Sequence, residues 1–185
     1  MQEPTCPDDL IPPFGQIGEP GWDDALRALL SAYGCPPPQP TRAGALSEAE
    51  ARLGMVFPAS VRQLYEAFGP LDFDGLVLLD PGVMIPAAEL WMWEMLGRSD
   101  QRRLAGAIAI AEIDSGDAYA LDPATGACCR VSHDPAAIEH WLPSFDALIQ
   151  CAVIDLSWSY YGWPGPEIPA WASQLMMGRY GIRWL

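Results

Sequence analysis

The chain has 185 residues and a formal net charge of −14, from 24 acidic and 10 basic residues, and every basic residue is an arginine. Without lysine there is no Schiff base, no phosphate-loop lysine and no kinase-type ion pair. Half the residues are apolar and 18% are charged, below the roughly 25% of a typical soluble domain, so the chain reads as one core-forming domain with appendages.

The charge also sorts the partners. Binding nucleic acid needs clustered cations to neutralise phosphates, and an anionic membrane surface has the same requirement. Scattered arginines under an acidic envelope predict neither partner. A basic protein surface is attracted instead. The cysteines stand at 6, 35, 128, 129 and 151. The only close pair is adjacent and there is no CxxC spacing, which predicts five reduced thiols and a cytoplasmic address. The start, MQEPTCPDD, has no basic or apolar leader region, so no signal peptide is expected. No apolar run approaches the ~18 residues of a membrane helix.

Residues 1–20 carry five prolines among acidic residues and read as an extended arm. Trp22, Leu26, Leu29, Leu30 and Tyr33 recur at helical spacing, with Asp23 and Asp24 in the first turn and Gly34 after the last. Pro36, Pro37, Pro38 and Pro40 make a stiff linker. Ser47 and Glu50 have capping-box spacing, with Leu46 as staple residue, and Leu53-Gly54 ends that helix. Phe57-Pro58 forms a corner before a second helix carrying Val61, Leu64, Tyr65 and Phe68, stopped by Gly69-Pro70.

Gly75 to Leu79 reads as a short buried strand, and Asp80-Pro81-Gly82 turns the chain. Pro86 opens a predicted helix through Leu96 that carries Trp91 and Trp93, and residues 98–103 read as a polar loop. From residue 105 the apolar period becomes two. Ile108 and Ile110 share one face, and Ala109, Ala111 and Ile113 the other. Asp117 to Leu121 and Cys128 to Ser132 are the following strands, with hairpin-loop chemistry in Asp122-Pro123-Ala124-Thr125-Gly126. This is an antiparallel meander. A long helix near Pro143 carries Phe145, Leu148, Ile149, Ala152 and Leu156. The aromatic tail, 157–185, is expected to pack on the domain, with one short helix from Pro169 to Met177. The expected fold is α+β, a single domain with a central antiparallel sheet flanked by helices. Its expected parts are 1–42, a proline-rich arm with one helix; 43–156, the domain; and 157–185, the extension.

Two blocks of this sequence resemble the SMI1/KNR4 (SUKH) family. The first is Leu53-Gly54, Phe57-Pro58 and Leu64-Tyr65-x-x-Phe68-Gly69. The second is the apolar run Ile108 to Ile113, then Gly116-Asp117, Tyr119, Leu121-Asp122, Thr125-Gly126, His133-Asp134 and Ser144-Phe145. The similarity spans roughly residues 43–155. Where the family often has Asn-Gly after the second helix, this chain has Phe68-Gly69. The resemblance implies an α+β fold with an antiparallel sheet flanked by helices. Many bacterial members look like immunity proteins that neutralise a toxin, and yeast members belong to cell-wall regulation.

Candidate chemistry is sparse. Cys128 or Cys129 with His133 and Asp134 could form a Cys–His hydrolase, but so short a spacing within a strand fits structural cysteines better. His133 and His140 with Asp134 lack a third nitrogen or sulfur ligand, so no metal is expected. Asp114, Asp117 and Asp122 gather near the meander turns. They suit turn capping or acidic contacts to a partner better than calcium, since no EF-hand pattern is present. Trp91 and Trp93 stand two apart on the predicted helix and point differently, which suits either one in the core and one exposed to a partner or both partly buried under the N-terminal arm. These five residues are the candidate partner-binding set. No cofactor and no catalytic residue is expected. The function expected is a non-enzymatic protein-binding domain of the immunity type. A regulatory or scaffold module is the alternative, and an enzyme with an unrecognised site the third reading.

Overall fold

A computed structural model describes residues 16–161. The Pro169–Met177 helix, the packing of the aromatic tail and the thiol of Cys6 lie outside the described residues. Six strands form one open antiparallel sheet: β1 (Leu76–Leu78), β2 (Ile85–Pro86), β3 (Ile108–Ile113), β4 (Ala118–Leu121), β5 (Cys128–His133) and β6 (Ala136–Leu142). The order is β1-β3-β4-β5-β6, with β2 also paired to β3. The meander from β3 to β6 follows from the tight turns that the sequence places after Ile113 and Leu121. With five α-helices around it, the sheet makes an α+β domain, as the residues predict.

One sheet face, bearing Ile108, Ile110, Tyr119, Leu121, Cys128 and Leu142, buries against the helices. These are α1 (Trp22–Ala32), α2 (Ala45–Leu53), α3 (Ala59–Phe68) and α5 (Phe145–Tyr161). Leu26, Leu30, Leu64, Phe68, Phe145 and Leu148 fill that layer and are almost wholly enclosed. Burying each such side chain is worth about 1.5–3 kcal/mol. Tyr65 is as deeply buried, and its hydroxyl donates to the Leu79 carbonyl at 2.8 Å, which satisfies the only polar atom of its side chain. The other sheet face carries small residues, Ala109, Ala118, Ala120 and Cys129 with Val131. The 87–104 segment lies over it with Ala87, Leu90, Met92, Leu96 and Leu104.

Several local expectations are corrected. The 86–96 helix is two single 3-10 turns, Ala87–Glu89 and Trp93–Met95, separated by an extended Leu90. Spacings of three, two and four between its buried residues lay this segment flat on the alanine-rich face, which a regular helix would not do. Residues 98–103 form a short helix, α4 (Arg98–Arg103), not a loop. Ser47 does not cap α2. The helix begins two residues earlier, after Gly44 in the left-handed region. Glu50 instead reaches forward over the corner, where it accepts the Phe57 N–H at 2.7 Å and pairs with Arg62. β1 is not buried on both faces: Leu76 and Leu78 point inward and Val77 is exposed.

In β3 a bulge between Ala109 and Ala111 breaks the alternation. Ala111 and Ile113 therefore join the helix-side layer with Ile108 and Ile110 rather than Ala109. β6 itself is a strand that the sequence reading did not assign. The prolines after α1 run closely over the end of α3, where Thr41 N–H donates to the Tyr65 carbonyl at 3.0 Å. Gly69 has φ 71°, and a Cβ there would stand 1.9 Å from the Gln39 carbonyl oxygen.

Candidate functional site

The turn between β3 and β4 ends at Asp117, whose carbonyl accepts the Ile113 N–H at 2.9 Å. Gly116, at φ 92°, supplies the left-handed residue that the turn requires. This geometry drives the Asp117 side chain inward, where it is 4% exposed. A carboxylate so enclosed must be paired. Its Oδ2 accepts from Arg130 Nε at 3.0 Å and Nη2 at 2.5 Å. Its Oδ1 accepts from the His133 N–H at 3.0 Å and lies 2.6 Å from His133 Nδ1. Burial alone would raise the carboxyl, but the hydrogen bonds from Arg130 and His133 outweigh it and hold the pKa at about 2. Asp117 is therefore an acceptor only, and Nδ1 of His133 carries the proton between them. Arg130 also meets Glu139 of β6 at 3.2 Å, so the cluster ties three strands together.

On this base stands Trp91. Its indole packs on the His133 ring at 5.5 Å between centroids, tilted by 50°, and is nevertheless 63% exposed. Trp93 is half-buried in the alanine-side layer, where its carbonyl accepts from Gln101 at 3.0 Å. No helix runs through both tryptophans, and neither is in the core: Trp91 is exposed and Trp93 half-buried. The three aspartates do not gather. Asp114 is exposed in the β3–β4 turn and its N–H donates to the Gly75 carbonyl at 2.9 Å. Asp122 lies at the other end of β4 and holds its own loop, accepting from Ala124 N–H at 2.9 Å and Thr125 Oγ1 at 2.8 Å. Asp122 is a turn residue, remote from the Asp117 cluster along the strand.

The sequence reading did not name Arg130, His133 or Glu139 as parts of this cluster. Glu139 falls at the bulge between Ile138 and His140 and is skipped in the β5–β6 register, so no alternation in the sequence places it beside Arg130.

A second polar group sits under α5. Tyr119 Oη lies 3.3 Å from His140 Nε2, and burial with the Arg130 charge pushes the His140 imidazole down. Asp155 of α5 approaches this group. Its Oδ1 is buried and finds no hydrogen-bond partner among the described residues. Burial lifts its carboxyl to about 8, against the lowering influence of Arg130.

Nucleophilic chemistry finds no support in the thiols. Cys35, Cys128, Cys129 and Cys151 are free. Burial, then Asp72 and Asp74, raises the Cys35 thiol, and burial pushes Cys129 up to about 12 and Cys128 well above its ordinary range. Thiols held this way are poor nucleophiles. Among the described residues, no group of three or more His, Cys, Asp or Glu is placed to hold a metal ion. Within those residues no helix is long and apolar enough to cross a membrane. No family model, curated protein or solved structure matches the chain.

Proposed function

We propose that this chain is a non-enzymatic protein-binding domain of the immunity type, which occludes a basic toxin partner and anchors it on Trp91. The observation that carries the reading is the Trp91–His133 pair: an exposed indole seated on a ring that Asp117 fixes from below. Holding an aromatic in place before contact lowers the entropy lost on binding, and exposed tryptophans dominate interface energetics. Exposed Glu89, Glu94 and Asp134 flank the pair in the chain, and the net charge of −14 steers a cationic partner toward it. The two sequence blocks similar to the SMI1/KNR4 family support the same reading, as do the free thiols for a reducing cytoplasmic setting.

The test is co-expression with a toxin candidate encoded beside this chain, followed by binding kinetics at increasing salt. Rescue of growth is expected, with association slowing strongly as the screening length falls to about 8 Å and dissociation changing little. Failure to rescue, with a cellular protein bound instead, moves the assignment to the regulatory or scaffold module.

A further inference from the structure

Asp117 does more to His133 than hold its ring in place. An ionised carboxylate only accepts, so the 2.6 Å contact between Oδ1 and Nδ1 fixes a proton on Nδ1. The neutral imidazole then carries its lone pair on Nε2. The His133 N–H donates to the same Oδ1 at 3.0 Å, so ring and backbone are tied to one oxygen. Among the described residues Nε2 has no hydrogen-bond partner, and it is open to solvent on a side chain that is 32% exposed. The β3–β4 turn lies against the other edge of the ring: a Cβ at Gly116 would stand 3.7 Å from Nδ1 and Cε1.

The surroundings are acidic and unmatched. Glu89 and Glu94 flank Trp91 in the chain, Asp114 precedes Gly116 in the turn, and Asp134 follows His133. All four are exposed, and none forms an ion pair among the described residues. Arg130, the cation of the cluster, is already committed to Asp117 and Glu139. A fixed acceptor beside an exposed indole, with carboxylates around it, is the complement of a long basic side chain: methylenes suit the indole and N–H donors the imidazole.

Building on Trp91 as the docking anchor, we propose that Trp91 and His133 form a receptor site for one cationic side chain of the partner, an arginine or a lysine, whose stem packs on the indole and whose N–H donates to His133 Nε2. Asp117 is then a positioning residue, since it sets which nitrogen of His133 accepts.

The experiment is nitrogen-15 NMR of the imidazoles of the full chain at about pH 7.5, above the ordinary histidine range. The chain has two histidines, so His140 serves as the internal control. Long-range nitrogen–proton correlation is expected to find His133 protonated on Nδ1 with a bare Nε2. Titration with Nα-acetyl-arginine methylamide, and with its lysine counterpart, should move the Nε2 signal of His133 saturably and leave His140 in place. The citrulline analogue, which keeps the shape without the charge, should bind about tenfold more weakly. Trp91→Ala, a truncation of an exposed side chain, should weaken the arginine probe about two- to fivefold. Asp117→Asn, while still folded by circular dichroism, is expected to mix the two tautomers. A proton on Nε2 in the wild type, equal binding of the citrulline analogue, equal shifts at both histidines, or indifference to Trp91→Ala overturns the proposal. If the arginine probe seats as expected while the co-expressed toxin is neither bound nor neutralised, the receptor site stands and the immunity reading falls. A toxin bound through Trp91 by a chain that ignores the arginine probe leaves the immunity reading and removes the receptor site.

Discussion

Trp91 packs on His133 at 5.5 Å and remains 63% exposed, so the largest apolar side chain on this face is held rigid without being buried. Because it covers little core, Trp91→Ala should cost less than about 1 kcal/mol of stability. At a docking anchor the same truncation should cost about 2 kcal/mol or more of binding, mainly as faster dissociation. Thermal melting and surface-based kinetics with the cognate partner measure the two quantities side by side.

Asp117→Asn removes the charge that Arg130 and His133 share. An uncompensated half-buried arginine predicts a loss of about 3 kcal/mol at neutral pH, read by urea unfolding. The sign of the pH dependence follows from a folded pKa of about 2 against an unfolded 3.8. The unfolded chain binds more protons between those values, so the wild-type contribution is complete above about pH 4 and fades as pH falls toward 2. The Asn variant should lack that acid limb.

Asp155 works in the opposite direction. Its folded carboxyl titrates at about 8 and its unfolded one at 3.8, so between these values the native state holds the extra proton. Stability should therefore fall as pH rises from about 4 to 8 and level off above. Asp155→Asn, neutral at every pH, should remove this slope and exceed the wild type by about 1 kcal/mol or more at pH 8. Chemical denaturation across a pH series checks both the slope and the crossover.

Gly69→Ala tests the path of the proline segment. The added methyl meets the Gln39 carbonyl oxygen at 1.9 Å and also strains a φ of 71°. Backbone must move to admit it, which predicts a loss of more than about 2 kcal/mol in a denaturant midpoint measurement. Gly34→Ala, with a φ of 74° and open space around it, is the control for strain alone.

The helix–corner–helix and the meander were legible because each rests on a strong local signal: Leu64, Tyr65 and Phe68 at helical spacing, and the Asp122–Gly126 loop between alternating runs. What escaped was governed by contacts distant in the chain. The 86–96 segment has helix-forming residues, yet it lies on Ala109, Ala118 and Ala120, and that surface decides its shape. The β3 bulge shows only when β4 is set beside it, and it moves Ile113 to the opposite face. Glu50 had the spacing of a cap, but Arg62 and the Phe57 N–H, both across the corner, claim it. Asp117 was named among acidic contacts, whereas its burial makes it the support of the exposed pair rather than a contact itself.

The adjacent cysteines have a consequence for how the two layers are held. Cys128 is enclosed in the helix-side core and Cys129 in the alanine-side core. One peptide bond separates two compartments with separate walls. A thiol reagent can reach Cys128 only when the helices lift, and Cys129 only when the 87–104 segment does. Fragment-ion mass analysis after timed labelling, which separates the two adjacent sites, would thus record which layer of this protein opens first.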